Sequence, residues 1–306
     1  MQAREIFKNG EGELRAGWQI ALFLGILSGT VSLAAAPLII SGVKDTFALE
    51  AATLVGILAA TYLATRFINH KPFVAVGLAV NKYAMREFGI GCLVGWLMLT
   101  GVFGIEYVWG YVKVSAAEFS FIDAIRVSGI SLFFFAVAAA AEELLFRGYM
   151  FQTLIRGIRL IPASILVGIC FGFAHYNNPT ANVWGISNTV LIAVLFAFAY
   201  WRTRSLWLPF GIHLSWNFSQ TTLYGYPTSG LHFTKYELTR LTQFGPEWLT
   251  GGAYGPEGGA IATLIIVLCG MYIYFSSSLQ PFPGVRTLDE GTEDLSGGFF
   301  DGRKAA

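Results

Sequence analysis

The run SLFFFAVAAAAEELLFRGYM, residues 131–150, decides the class of fold. It lies within Val127–Leu154, an apolar stretch longer than the roughly 20 residues that a helix needs to cross a bilayer. Seven other stretches come near that length, each bounded by charges or by proline or glycine clusters: Ala16–Ile40, Leu49–Ile68, Phe88–Trp109, Leu160–His175, Val183–Trp201, Leu206–Leu223 and Gly259–Phe275. The short alternating strands of a membrane barrel are missing. We therefore predict an all-α, polytopic membrane helix bundle with about eight transmembrane helices.

The composition agrees with a protein that has the lipid bilayer as its main neighbour. Of 306 residues, 55% are hydrophobic and only 13% are charged, and the mean hydropathy is +0.58. A soluble domain carries about 25% charged residues. The net charge of +1 argues against nucleic acid as a partner. The three cysteines form no CxxC pair, which argues against a disulfide framework and a thiolate zinc site.

The distribution of basic residues predicts the orientation. Fourteen of the 20 lysines and arginines fall at the N-terminus, in the even-numbered loops and at the C-terminus, whereas five fall in the odd-numbered loops. An excess of positive charge marks the cytoplasmic side. We predict a multi-pass protein of the cell (inner or plasma) membrane with both termini in the cytoplasm. Residues 1–280 form one integral-membrane domain, residues 281–306 a flexible cytoplasmic tail, and the aromatic-rich connection 225–258 an external, packed cap.

Polar side chains within the predicted spans are the candidate functional residues. An ionisable group in mid-membrane costs on the order of 3 kcal/mol, so it is a functional candidate by default. Three stretches, within a motif core of residues 127–223, carry such groups: Glu142, Glu143 and Arg147 in the fourth, His175 in the fifth, and His213 and Asn217 in the seventh. Two further acids, Glu50 and Glu106, are expected to snorkel near helix ends.

The spacing of the motif predicts different roles for the two adjacent glutamates. Glu143 and Arg147 stand four residues apart in the favourable order, which predicts a structural ion pair and leaves Glu142 as the reactive carboxylate. A rise of about 1.5 Å per residue places Glu142 and His213 in the inner half of the membrane, but His175 farther out. A carboxylate, two imidazoles and an amide can form one proton-handling or metal-binding centre. A proton-coupled or metal-ion transporter is therefore an alternative to an enzyme.

Three motifs, in chain order, carry a family resemblance. They are Glu142-Glu143-x-x-x-Arg147, Phe171-x-x-x-His175 and His213-x-x-x-Asn217. Together they resemble the signature of the CPBP family, which comprises the type II CAAX prenyl endopeptidases and the bacteriocin-processing (Abi) membrane proteases. The chain has neither HExxH nor GxSG, and no predicted span contains an aspartate.

The resemblance implies an intramembrane endopeptidase. Glu142 and His175 would activate a water molecule, and His213 and Asn217 would bind the oxyanion. Glu143 and Arg147 would support this geometry. The substrate would be a peptide or protein, prenylated or otherwise membrane-associated, held in a cavity open toward the cytoplasm.

Two alternatives remain at this stage. Glu142, His175 and His213 would also make a three-ligand zinc site with an open water position, so a zinc mechanism and a metal-free glutamate mechanism both stand. The nearest non-enzymatic reading of the resemblance is a catalytically silent scaffold or immunity homologue.

Overall fold

Helices make up nearly all of the regular structure in the computed structural model, which describes residues 6–10, 12–116, 118, 120–233 and 236–290. The elements in chain order are α1 Ala16–Ile40, α2 Thr46–Leu63, α3 Lys82–Val108, β1 Val112–Ala116, α4 Phe121–Glu143, α5 Met150–Ile158, α6 Leu160–Ala174, α7 Val183–Thr203, α8 Trp207–Phe218, β2 Thr239–Gln243, α9 Glu247–Thr250 and α10 Ala260–Phe275. Three π-helical segments continue helices: Ala64–Ile68, Leu144–Tyr149 and Ser219–Leu223. Short 3₁₀ turns lie at Phe73–Val76, Gly252–Tyr254 and Pro256–Gly258.

Each of the eight predicted stretches is helical, and the all-α membrane bundle is confirmed. Among the described residues, five helical runs are long and apolar enough to cross a membrane: Ala16–Ile40, Thr46–Ile68, Lys82–Val108, Phe121–Ile158 and Val183–Thr203. Two shorter apolar helices, Leu160–Ala174 and Ala260–Phe275, complete the set together with α8 and its π-helical extension. Several boundaries follow from side-chain caps: Asp45, Asn81, Ser120 and Asn182 each accept a hydrogen bond from a backbone N–H in the first turn of a helix.

Glycines bring α3 and α8 into backbone contact. A Cβ atom on Gly95 would lie 2.2 Å from the carbonyl oxygen of Ile212, and one on Gly211 would lie 2.5 Å from the carbonyl oxygen of Phe88. Without side chains at these positions the two helices pack closely, as small residues permit in membrane proteins. This contact fixes α8, the helix that carries His213 and Asn217.

The chain between Glu142 and His175 forms two helical segments that are joined by a tight turn. After α4 the π-helical segment Leu144–Tyr149 bends at Gly148, and α5 ends at a tight turn where Arg159 has φ +71°. Glu142 precedes Arg159 by 17 residues and His175 follows it by 16, and both side chains line the same cavity. The expectation that His175 lies farther out is therefore wrong. The helical run extends over Phe121–Ile158, beyond both ends of the predicted stretch.

The connection after α8 packs as the predicted cap, which we define as residues 225–233 and 236–258. Its strand β2 pairs antiparallel with β1, with Val112 opposite Gln243, a pairing that the sequence did not predict. Tyr226 is buried in the cap, and its hydroxyl donates to Glu106 Oε2 at 2.9 Å. The side-chain amide of Gln243 donates to the same oxygen at 3.1 Å. Glu106 is 0% exposed, so the expectation that it snorkels is wrong. Its carboxylate is buried and accepts hydrogen bonds from two residues of the cap, Tyr226 and Gln243.

The start of the C-terminal segment is folded, which corrects the prediction of a flexible tail for part of its length. Leu288 and Asp289 are 1% and 0% exposed. The Leu288 N–H donates to the Ala75 carbonyl at 3.0 Å, and Asp289 forms a buried ion pair with Arg204. Two side chains hold this segment in place. The apolar side chain of Leu288 is buried in the core, and the carboxylate of Asp289 pairs with the buried guanidinium of Arg204. The remainder of the predicted tail, 291–306, lies outside the described residues.

Candidate active site

A cavity of about 520 Å³ brings the predicted site residues together. Glu142, His175, His213 and Asn217 all line it, although they come from three separate helical segments. Residues of α2, α7, α10 and the cap complete the wall. The sequence therefore predicted which side chains meet, and their chemical roles stay predictions.

His213 stands at the centre of the polar contacts. Its Nδ1 lies 2.8 Å from Glu143 Oε1, and its Nε2 lies 3.7 Å from Glu142 Oε2. The ring stacks on Phe196 at a centroid distance of 5.1 Å. A carboxylate bound to Nδ1–H holds an imidazole in one orientation and stabilises the imidazolium form. In that form Nε2–H is a donor that can point to the cavity.

The Glu143–Arg147 pair is buried behind side chains that line the cavity. Arg147 is 0% exposed; its guanidinium donates to Glu143 Oε1 at 3.2 Å and to the Ala193 carbonyl at 3.2 Å. The same guanidinium lies 4.7 Å from the ring centroid of Phe171 and 5.1 Å from that of Phe196. The predicted ion pair is present, and Glu143 has a second contact, with His213, that the sequence did not predict. No local spacing could have revealed a contact between residues 70 positions apart.

The backbone constrains the ring of His175. This residue follows the last turn of α6, and its Nδ1 lies 2.8 Å from the Phe171 carbonyl oxygen. A carbonyl oxygen only accepts, so the proton of a neutral ring resides on Nδ1 and Nε2 carries the lone pair. This contact leaves Nε2 of His175 free to accept a hydrogen bond, one turn of helix after the aromatic residue of its motif.

Several residues of the cavity wall had no predicted role in the site. Glu50, near the start of α2 as expected, lines the cavity, and Asn178, His232 and Glu257 join it from connecting segments. Because these segments carry no motif, their place in the cavity wall is evident only from the folded structure.

Glu257 is held by three donors. Its Oε1 accepts from the Trp216 indole N–H at 3.1 Å, and its Oε2 accepts from the backbone N–H and the hydroxyl of Ser229 at 2.6 and 2.7 Å. Burial, with the Glu257 carboxylate adding to it, raises the pKa of the neighbouring Tyr254 to about 12, so Tyr254 is neutral at physiological pH. Glu257 therefore fixes the cap to α8 at the edge of the site.

The three-ligand zinc set is not assembled. Within the described parts of the chain, no three histidine, cysteine, aspartate or glutamate side chains come close enough together to hold a metal ion. Glu142 and His213 approach each other, but His175 does not join them as a third ligand. The donor set does not fit a zinc centre, and the chemistry below uses the side chains alone.

Comparison with known proteins gives two matches. A model of the family described as "Type II CAAX prenyl endopeptidase Rce1-like" matches residues 125–219, a segment that contains all three motifs. The uncharacterized protein YyaK of Bacillus subtilis (strain 168) is 28% identical over 160 residues, which is 51% of this chain and 54% of that protein. The chain thus spans about half the length of this curated relative, whose name assigns no activity. No solved structure matches.

Proposed function

Because the chain belongs to the CPBP family, as its Rce1-like segment at residues 125–219 supports, we propose that it is an intramembrane endopeptidase. The family implies a membrane protease, and the long apolar helices make the chain a multi-pass membrane protein. The observation that carries the proposal is the single cavity lined by Glu142, His175, His213 and Asn217. The reaction adds water across a peptide bond and releases a carboxylic acid and an amine.

We assign Glu142 as the carboxylate that activates water, together with His175. The side chain of Glu142 is 35% exposed to the cavity, whereas that of Glu143 is 2% exposed and is engaged by Arg147 and His213. Of the two adjacent glutamates, Glu142 is therefore the one that presents its carboxylate to the cavity. His175 presents the lone pair of Nε2 and shares the work of proton removal.

The oxyanion of the tetrahedral intermediate is assigned to His213 and Asn217. These residues lie four positions apart on α8, so both side chains project from the same face of the helix. The amide N–H of Asn217 and the Nε2–H of His213 can donate to the developing charge, and one such donor contributes about 3 kcal/mol to the transition state. The proton taken from water then passes to the leaving amine.

The substrate class follows from the remainder of the wall. Phe134, Phe135, Ile192 and Ile266 make much of the lining apolar. Such a surface favours an apolar segment of a membrane-associated peptide or protein, prenylated or not, over a charged soluble peptide.

The test is hydrolysis by the purified protein in liposomes that contain a quenched-fluorescent, membrane-anchored peptide. We expect Glu142→Gln to lower kcat/KM at least on the order of 10²-fold without changing thermal unfolding, because the removed base acts only in the reaction. The matched control is Glu247→Gln, an exposed position of the cap, which we expect to keep full activity.

Two results would overturn the proposal. One is unchanged cleavage by Glu142→Gln. The other is ion flux through the same liposomes that depends on Glu142 and His175, with no cleavage, which would indicate a transporter.

A further inference from the structure

A short segment that follows α10 lies in a groove of the bundle that the proposed reaction does not use. The groove is formed by the 3₁₀ turn Phe73–Val76, by α5 and by the end of α7. The segment is Thr-Leu-Asp, residues 287–289, and we call it the docked segment. All three of its residues are buried, whereas Arg286 and Glu290 on either side are exposed. The bundle thus encloses three consecutive residues of an otherwise irregular stretch.

The groove binds the backbone of the docked segment. The Leu288 N–H donates to the Ala75 carbonyl at 3.0 Å and to Gln152 Oε1 at 3.2 Å. The Lys71 ammonium donates to the Thr287 carbonyl at 3.0 Å. Even the nearest of these partners in the sequence, Gln152, lies 136 positions before Leu288. The contacts are therefore those of a peptide in a binding site and not those of a local turn.

The groove also binds two side chains of the docked segment. Leu288 joins the core cluster that contains Phe151 and Tyr200. Asp289 forms an ion pair with Arg204, which is itself buried, and its Oδ1 accepts from the Tyr200 hydroxyl at 3.0 Å. Removing one partner of a buried ion pair is strongly unfavourable. The groove therefore selects a leucine followed by a carboxylate.

The groove adjoins the buried layer behind the proposed active site. Gln152, which accepts from the backbone of the docked segment, donates to the Arg147 carbonyl at 3.3 Å. Tyr200 follows Phe196 by one turn of α7, and the ring of Phe196 stacks on His213. Two residues of the groove therefore reach the layer that holds the proposed oxyanion donor.

We propose that the groove is a binding site for a Leu-Asp peptide segment, which this chain occupies with its own residues 287–289, and that its occupation positions His213. The connection from α10, residues 276–286, is described throughout and has no helix or strand, so the docked segment binds as a separate element. The binding site is independent of the proposed function, whereas the effect on His213 rests on it.

The experiment cuts the connection after the protein has folded. A recognition sequence for a specific protease is inserted after Gly284, which is exposed, and the purified protein is cut in detergent. We expect the cut segment to stay bound during gel filtration of the parent and to dissociate at least about 10-fold faster from Leu288→Ala and Asp289→Asn. The matched control is Glu290→Gln, an exposed acid next to the docked segment, which should retain the segment as the parent does.

Cut Leu288→Ala protein then supplies an empty groove. The probe is a fluorescent peptide of residues 285–290, Val-Arg-Thr-Leu-Asp-Glu, and its binding is followed by anisotropy. We expect saturable binding that a peptide with Asp289→Asn weakens at least about 10-fold and a peptide with Glu290→Gln does not. Equal retention of the cut segment by all variants, or no binding of the peptide, would overturn the binding site.

Activity of the emptied protein tests the effect on His213. Addition of the peptide should raise kcat over the same concentrations at which the peptide binds, with little change in KM, and should shift the pH profile of kcat. A merely structural role would change the amount of folded protein and leave these parameters as they are. Unchanged kcat and pH profile at saturating peptide would refute the positioning of His213. If the uncut parent does not cleave either, the protease proposal fails, and the anisotropy result still decides the binding site.

Discussion

Glu143 is predicted to have two separable functions, as the partner of a buried cation and as the orienting partner of His213. The perturbation is Glu143→Gln, which keeps the size of the side chain and removes its charge. Arg147 is 0% exposed, and removing one partner of a buried ion pair destabilises a protein by about 3–5 kcal/mol. Arg147 retains the Ala193 carbonyl and two aromatic faces, so we expect the lower end, about 3 kcal/mol. This corresponds to roughly a 100-fold shift of the unfolding equilibrium.

The activity of the same variant reports the second function. A neutral amide bonded to Nδ1 neither stabilises an imidazolium nor fixes the ring as a carboxylate does. We expect kcat per folded molecule to fall by about 10–100-fold, the usual effect of losing an orienting partner. The double variant Glu143→Gln/Arg147→Met removes both buried charges, so its stability should largely recover while kcat stays low.

The assay combines equilibrium unfolding in detergent with turnover normalised to folded protein. The matched control is Glu13→Gln, because Glu13 also pairs with an arginine, Arg156, but at 48% side-chain exposure. An exposed pair contributes about 0–1 kcal/mol, so this variant should resemble the parent. A double variant as unstable as Glu143→Gln would refute the buried-charge argument. A Glu143→Gln enzyme with normal kcat would refute the orienting role.

Three further substitutions test the packing of α8 and the cap. Gly95→Ala places a Cβ 2.2 Å from a backbone oxygen of α8 and should lower the melting temperature strongly, whereas Gly89→Ala, with open space around it, should not. Tyr226→Phe removes a donor from the buried Glu106 carboxylate; a loss of about 1–3 kcal/mol and faster proteolysis of the cap are expected. Glu257→Gln retains one acceptor oxygen for three donors, so substrate binding beneath the cap should weaken, seen as a higher KM with a smaller change in kcat.

The sequence was sufficient for the parts of the molecule that depend on local pattern. Apolar length alone identified the eight helical stretches, because a bilayer imposes a minimum length on each span. The rarity of ionisable groups in such spans identified Glu142, His175 and His213 as candidates, and the structure places them in one cavity. The i, i+4 spacing identified the ion pair of Glu143 with Arg147.

The features that the sequence did not predict depend on contacts between distant segments. The relative depth of His175 required the bend at Gly148 and the full length of the helical run that contains it, neither of which a hydropathy pattern specifies. The anchoring of Glu106 required the tyrosine of a cap 120 positions away. The burial of Leu288 required a backbone contact with Ala75, which lies more than 200 positions earlier in the chain. In each case the partner is distant in the sequence, so only the folded structure identifies it.

The buried ion pair links stability to catalysis. Adjacent residues of a helix point about 100° apart, so Glu142 lines the cavity while Glu143 is buried in the packed layer beside it. Because Glu143 bonds both Arg147 and His213, the pair that stabilises this layer also orients the proposed oxyanion donor. Loss of the Glu143 charge therefore removes both contacts at once, whereas the double variant with Arg147→Met should restore stability without restoring the orientation of His213.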